Sequence, residues 1–370
     1  MFTPAIGQPG GAAKHSSTLS EGLARRGWRV ALVTRDAAGR RLKLSRTPSG
    51  VRVLEVPGFG HTRIGAILYL LAAVPAGIVM GGSRASFIGL ELAAPSVAAA
   101  ISGTLLRRPV LSFTFSSGER GELELLEGRR SWPLRRRLLT RAGRVVTQTE
   151  FAGTEVAAAL PDARLSVLPT PVDPVPGPPA LTGSRRVVFT GRLTEQKGLD
   201  VLLEAWRTVA DEVPDATLTL AGQGGGYGGA WAPVDDELRA TTAAHPGLAR
   251  SVEFAGWVGD VAALMSSCDV YVLPSRSEGM SNALLEACTW GRVPVTSAIE
   301  ANRAVLGDDY PLLYPVDRPD LLAERLIRAL GSAAVRDACR ELALDRVSLS
   351  HTETVLDRLE EMLREEAARG

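Results

Sequence analysis

The chain has 370 residues, more than one compact core usually holds, so two domains of ordinary size are expected. Hydrophobic residues make up 45% and charged residues 22%, a globular balance, and a net charge of +1 gives no global field to draw in nucleic acid or an acidic polymer. Cys268, Cys288 and Cys339 are scattered without a CxxC pair, which argues against a disulfide framework or a thiolate zinc site and fits a reducing cytoplasm.

Only Met1 to Ile6 precede a glycine-containing turn, Gln8-Pro9-Gly10-Gly11, and no basic segment followed by an apolar run marks a signal peptide. A parallel α/β domain opens with a strand of about five residues. The first strand is therefore expected to be cut short, by a genuine truncation or by a start assigned too late. Strands are then predicted at Trp28–Thr34, Val51–Val56, Ser86–Leu90, Val110–Thr114, Arg144–Gln148 and Leu165–Leu168. Helices fall between them, at about Ser16–Arg26, Ile64–Met80, Ala94–Leu106, Pro133–Arg141 and Phe151–Leu160. The second of these is unusual, because no charged residue occurs from Ile64 to Ser83. That length can span a bilayer, but Pro75, Gly77, Gly81 and Gly82 interrupt it between strand-like segments. The expected reading is a buried or partly buried helix, ahead of one lying in a membrane interface, with a true span last. Arg135, Arg136 and Arg137, near Arg129, Arg130, Arg141 and Arg144, make a basic patch that reads first as a solvated helix face and second as a contact with anionic lipid.

Residues 168 to 184 carry six prolines, which exclude helix and sheet interior and leave a stiff, extended connector. Beyond it strands are predicted at Arg186–Thr190, Thr217–Ala221, Val252–Phe254, Val270–Leu273, Val293–Thr296 and Leu312–Tyr314, with helices including Leu199–Val213, Val261–Ser267 and Asn282–Trp290. The pattern predicts an α/β protein of two Rossmann-like, doubly wound domains facing across a cleft, with ligands at the carboxyl ends of the strands. The expected division is 1–168, a linker at 169–184, a second domain at 185–345, and a terminal helix at 346–370 that packs back on the first domain.

Three constellations carry chemistry. In Pro274-Ser275-Arg276-Ser277-Glu278-Gly279-Met280-Ser281-Asn282-Ala283-Leu284-Leu285-Glu286-Ala287, a strand ends in a polar loop that enters a helix. The N–H groups of Met280, Ser281 and Asn282 at that helix start can hold an anion, and Gly279 lets backbone approach a ligand closely. Glu286, a turn into the helix, can accept two hydrogen bonds from a vicinal diol such as ribose, and Glu278 can do the same for sugar hydroxyls. The bland alternative makes Ser281 an N-cap and Glu286 a solvated helix residue. In Val188-Phe189-Thr190-Gly191-Arg192-Leu193-Thr194-Glu195-Gln196-Lys197-Gly198, a strand ends in glycine and two cations follow around a turn. Arg192 can grip phosphate as a fork and Lys197 as a point charge, although one lysine taken alone is as readily a surface charge. Lysine is otherwise confined to Lys14 and Lys43. The third is the pair Gly10-Gly11 before a helix, which can form an anion nest but is also a common turn. The glycines between Gly222 and Gly229 are weak evidence for dinucleotide binding, since no acidic residue ends a following strand.

Taken together these motifs resemble the large family 4 of retaining glycosyltransferases, which has the GT-B fold of two Rossmann-like domains. The likeness covers almost the whole chain and is strongest from Val187 to Leu306. It implies a hexose transferred with retention from a nucleotide-sugar donor to a glycan or lipid-linked acceptor. Arg192 and Lys197 would bind the donor diphosphate, Glu286 the ribose, and Glu278 the transferred sugar, while the Gly10-Gly11 loop closes over the phosphates. No Asp-x-Asp motif occurs, so charge neutralisation by protein groups is expected, with no metal and no cofactor. Peripheral contact with the inner face of a membrane is compatible with this reading; nucleic acid is not an expected partner.

There are departures. Many members carry a histidine at the end of the strand written here Leu111-Ser112-Phe113-Thr114-Phe115, where this chain has Thr114. The Ser-Gly-Glu loop that follows offers Glu119 as an acceptor-side group, against the reading of a solvated loop residue. The turn usually written Asn-Gly-Val-Asp is Thr170-Pro171-Val172-Asp173. Two other functions remain open at this point: a nucleotide-sugar epimerase on the same fold, and a donor-binding protein without turnover.

Overall fold

The computed structural model describes residues 1–4, 11–36, 42–57, 63–115, 121–224 and 232–369. They divide into two compact units: unit 1 is Met1–Pro171 with Ser350–Gly370, and unit 2 is Val172–Leu349.

Unit 1 holds, in chain order, α1 (Gly11–Arg25), β1 (Ala31–Arg35), β2 (Lys43–Arg46), β3 (Arg52–Val56), α2 (Arg63–Gly81), β4 (Phe87–Leu90), α3 (Ala94–Leu106) and β5 (Val110–Phe113). It continues through α4 (Glu122–Glu127), α5 (Trp132–Ala142), β6 (Arg144–Thr147), α6 (Glu150–Ala159) and β7 (Arg164–Val167). The strands form two ladders, β1-β3-β2 and β4-β5-β6-β7. Residues 1–3 join them. Phe2 bridges in parallel to Val33 on one side and to Gly89 on the other, so Met1–Thr3 act as the central strand. The Met1 nitrogen donates to Ala31 O at 2.7 Å. With that segment counted first, the pairing follows the doubly wound order, and the switch point lies between Met1–Thr3 and β4. Strands β4 and β5 are buried throughout and wholly uncharged, as two-sided parallel strands must be. Strand β2 was absent from the sequence reading. Its side chains are all exposed and it pairs antiparallel at the edge, so no buried face marks it. Helix α1 begins at Gly11, five residues before the predicted start, which places Gly11 in the helix rather than in a turn. Gly10 lies outside the described residues.

Unit 2 opens with β8 (Arg186–Thr190), α7 (Leu199–Glu212), β9 (Thr217–Ala221), α8 (Asp235–Ala244), α9 (Pro246–Ser251), β10 (Val252–Gly256) and α10 (Val261–Ser266). It continues with β11 (Val270–Leu273), α11 (Asn282–Thr289), β12 (Val293–Ser297), α12 (Glu300–Leu306), β13 (Leu313–Tyr314), α13 (Pro319–Gly331) and α14 (Ala333–Val347). The sheet order is β10-β9-β8-β11-β12-β13, all parallel, with helical crossovers. The order reverses between β8 and β11, so the ligand crevice of such a sheet opens between their carboxyl ends.

The proline-rich segment is docked along much of its length. Its Thr182 and Gly183 N–H groups donate to the Asp269 carboxylate, and Pro178 and Pro179 carbonyls accept from Arg340 and Arg292. From Val172 onward it belongs to unit 2. The last helix, α15 (Thr352–Arg369), returns to unit 1 and buries Val355, Leu356, Leu359 and Leu363 with Leu19 and Leu23 of α1. Arg26 pairs with Glu353 and Asp357, and Arg144 and Arg164 converge on the buried Glu366.

Candidate functional site

In unit 2 the sequence-predicted groups gather at the β8/β11 switch point. β8 ends at Thr190, and Gly191 donates its N–H to Ala221 O of neighbouring β9, turning the chain across the strand ends. A one-turn 3-10 helix, Glu195–Lys197, follows and stops at Gly198 with φ 61°. A Cβ at Gly198 would stand 2.2 Å from Pro274 O, so only glycine lets this turn press against the loop after β11. Lys197 is thereby delivered to that loop. Its Nζ lies 2.5 Å from Glu278 Oε1, and Ser275 Oγ donates to the same oxygen at 2.7 Å. Both charged side chains are nearly buried, at 12% and 9% exposure, so the pair is held in a low-dielectric pocket rather than in water.

The two segments are tied together at several further points. Arg276 N–H donates to Gln196 O, and Gln196 Nε2 donates to Ser277 O, both at 2.8 Å. The Arg276 guanidinium reaches Glu195 O, both oxygens of Asp200 and Asp317 Oδ1, which raises its pKa through the Asp200 bond first. These partners hold Lys197 and Glu278 in register. The sequence assigns no role to Gln196 and Arg276, because their partners Ser277 and Glu195 lie 81 positions away, nor to Ser275, whose bond to Glu278 three positions on depends on the loop's conformation.

The expected anion site follows directly. Ser281 caps α11, its Oγ accepting from Leu284 N at 3.4 Å. That leaves the early N–H groups of the helix directed at the loop Glu278–Asn282. Met280 packs its side chain into the unit 2 core, so only its backbone serves a ligand. Glu286 is half-buried in α11. The buried Tyr271 hydroxyl donates to Thr190 O at 3.4 Å; burial raises its pKa, and the charges of Glu278 and Glu286 add to that rise. Arg192 stands exposed at the β8 end with a long contact, 3.5 Å, to Gln196 Oε1. Among the described residues the buried hydroxyls of Thr190 and Thr296, at the ends of β8 and β12, have no hydrogen-bond partner. Two cations, two carboxylates, a capped helix start and two hydroxyls without a partner among the described residues gather at one sheet edge, chemistry suited to a polyhydroxylated anion.

Unit 1 has its own carboxyl edge. Thr114 is buried at the end of β5 and donates its N–H to Val146 O. Glu119 falls outside the described residues. Glu122, three positions on, straps the edge instead, accepting from Leu92 N and Phe115 N at 2.8 Å each. Sequence reading missed it, as it missed Glu91. Glu91 follows β4 with φ 99°, a conformation costly for a residue with a Cβ. Its carbonyl accepts from Ser96 Oγ at 2.7 Å and its N–H donates to Phe113 O, which holds the strained geometry. Burial raises the Glu91 carboxyl pKa against the pull of Arg35 and Arg129, and Arg35 lies over the ring of buried Tyr69, 5.8 Å from its centroid. His15 is buried between Phe113 and Phe115, and among the described residues neither of its ring nitrogens has a hydrogen-bond partner.

Comparison with known proteins agrees with this geometry. The family described as Glycosyltransferase Family 4 matches residues 9–175, and the one described as Glycosyl transferases group 1 matches 184–332. A phosphatidyl-myo-inositol mannosyltransferase of Mycobacterium tuberculosis is 36% identical over 162 residues, 42% of this chain and 40% of that protein. A UDP-Gal:alpha-D-GlcNAc-diphosphoundecaprenol alpha-1,3-galactosyltransferase of Escherichia coli is 28% identical over 181 residues, 45% of each chain. The matched region thus spans less than half the length of these relatives. Among solved structures, HepE of Anabaena in complex with UDP and glucose superposes with a TM-score of 0.72 at 19% identity, covering 98% of both chains. WaaG, a glycosyltransferase involved in lipopolysaccharide biosynthesis, gives 0.69 at 17% identity over 98% of both. With both halves matched in order and the fold shared over nearly its full length, the chain belongs to the family 4 glycosyltransferases of the GT-B fold.

Proposed function

We propose that the chain is a retaining, metal-independent hexosyltransferase that takes its sugar from a nucleotide-diphosphate donor held in unit 2. The observation that carries this reading is the convergence of Lys197, Arg192, Glu278 and the start of α11 at the β8/β11 switch point. When the glycosidic bond to phosphate breaks, the departing diphosphate gains negative charge. The N–H groups of Gly279–Asn282 stand at this edge beforehand, and Arg192 and Lys197, the latter once donor displaces it from Glu278, add positive charge that stabilises the departing diphosphate. Glu278 is then a partner for sugar hydroxyls, and Glu286 for the ribose diol. In the absence of donor Glu278 neutralises Lys197, which keeps a buried ammonium from standing unpaired. Thr190 and Thr296 supply further hydroxyls at the same edge. Hexose is supported by the mannosyl- and galactosyltransferases among the relatives, and a lipid-linked acceptor by their printed substrates. The acceptor groups would come from the carboxyl edge of unit 1, and the work would be done on the cytoplasmic side of a membrane.

The alternative, donor binding without turnover, is favoured by one observation, the threonine at position 114. One experiment separates the readings. The chain is incubated with UDP- and GDP-linked hexoses in excess EDTA, and released or transferred sugar is followed by mass spectrometry and anomeric proton NMR. The expected result is consumption of one donor with its anomeric configuration kept. Binding without consumption supports the alternative, isomerised donor indicates an epimerase, and consumption only with a divalent cation contradicts the metal-independent assignment.

A further inference from the structure

Helix α2 is apolar on both faces. Its inner side packs Tyr69 and Ala73 into a core with Phe2, Val33, Val56 and Phe87, and Gly77 comes so near Phe2 that a Cβ there would lie 2.3 Å from the ring. The outer side is a stripe of Ile64, Ile67, Leu71, Pro75 and Val79, at steps of three and four residues, so they form one line along the helix. Four of them are 71%, 57%, 69% and 82% exposed, Ile64, Ile67, Leu71 and Val79 respectively. A helix covering a water-facing domain carries charge on that side. This one has none from Ile64 to Ser83, and a continuous exposed apolar face of this size marks a contact. By length and composition, Ile64–Arg84 could cross a bilayer, with mean hydropathy 2.1. Its inner face is committed to the core of unit 1, however, so it lies along that unit instead of leaving it.

The charge around this stripe identifies what covers it. Helix α2 packs against α3, and α3 against α5, so the three make one layer. α3 ends with Leu105 65% exposed and Arg107 exposed beside it. On α5, Arg136, Arg137 and Arg141 are exposed with Leu134, and Arg129 and Arg130 precede them. No acidic residue occurs from Gly128 to Thr149, although the chain as a whole is nearly neutral at +1. An apolar helix next to a row of arginines matches the acyl-headgroup boundary of an anionic bilayer. A second copy fits less well. A two-fold contact through α2 would leave the arginines without anionic partners, and one through the centre of the layer would set arginines against the apolar stripe.

We propose that the α2-α3-α5 face of unit 1 seats on a bilayer rich in anionic phospholipid, with the α2 stripe in the interface and the α5 arginines over the headgroups. This face belongs to unit 1 alone and needs no donor, so bilayer binding is independent of sugar transfer. The test is co-sedimentation of the full chain with vesicles of phosphatidylcholine, or of phosphatidylcholine and phosphatidylglycerol in equal parts. Two variants are compared, Ile67→Glu with Leu71→Glu, and Arg136→Glu with Arg137→Glu, each checked for an unchanged thermal transition. Wild type should bind the anionic vesicles, less in high salt and less without phosphatidylglycerol, and each double variant should lower binding by roughly tenfold or more. Wild type remaining in the supernatant, or variants that bind as wild type does, would overturn the proposal. So would light scattering that shows a dimer dispersed by the Leu71 variant with no vesicle binding.

Discussion

At the scale of single residues, the central feature is an ion pair that donor must rearrange. Lys197 is held by Glu278, so a free nucleoside diphosphate competes with a carboxylate for the ammonium. Glu278→Gln should therefore tighten free UDP or GDP, by up to about 1.5–3 kcal/mol for one charge-assisted bond released. The same change should lower turnover of the sugar nucleotide. Isothermal titration checks the first part, and an unchanged or weaker diphosphate affinity would contradict the pairing as described. A second residue gives a pH dependence. Burial pushes the His15 imidazole from the usual 6.5 down to about 3, so the folded chain excludes a proton that the unfolded chain binds. Its contribution is constant above 6.5 and destabilises progressively as pH falls towards 3, by about 1.4 kcal/mol per unit. Urea unfolding between about pH 4 and 7 should show this slope reduced by roughly one proton in His15→Leu. An identical slope in the variant would mean the imidazole titrates normally.

At the scale of elements, the joints between strand ends and loops carry the chemistry, and they differ in how well sequence reveals them. The stretch Val270–Ala287 was readable because everything it needs is local: an apolar buried strand, a polar loop, and a serine that caps a helix. The pairing of Lys197 with Glu278 follows from the doubly wound order, which places β8 beside β11. Glu91 was not readable, since a positive φ leaves no trace in composition when the residue is not glycine. Glu122 escaped because its two partners, Leu92 and Phe115, lie just beyond the ends of two different strands, β4 and β5, and Glu119 in the preceding loop drew attention instead. Strand β2 escaped because an exposed edge has no period to read. The strain at Glu91 has a measurable sign. In ordinary backbone glycine is less stable than alanine by about 0.5–1 kcal/mol. At φ 99° the order should invert, with Glu91→Gly melting above Glu91→Ala. Alanine melting higher would show that the turn relaxes without cost.

For the whole molecule, the chain crosses between units twice, so unit 1 includes the returning segment Ser350–Gly370. Helix α15 supplies Leu359, fully buried among Leu19, Leu23 and Leu356. Leu359→Ala should cost unit 1 about 2–5 kcal/mol. In differential scanning calorimetry one transition should fall while the other stays. A shift of both by the same amount would contradict two separate cores.

The central claim is that the β8/β11 edge binds the phosphates of a nucleotide sugar through Lys197 and Arg192. Its most direct test is titration of the diphosphate and of the matching nucleoside into wild type, Lys197→Ala and Arg192→Ala. Each substitution should weaken the diphosphate by about 1.5–3 kcal/mol, the worth of a charge-assisted bond, and leave the nucleoside unchanged. Diphosphate affinity equal in wild type and both variants would contradict the site.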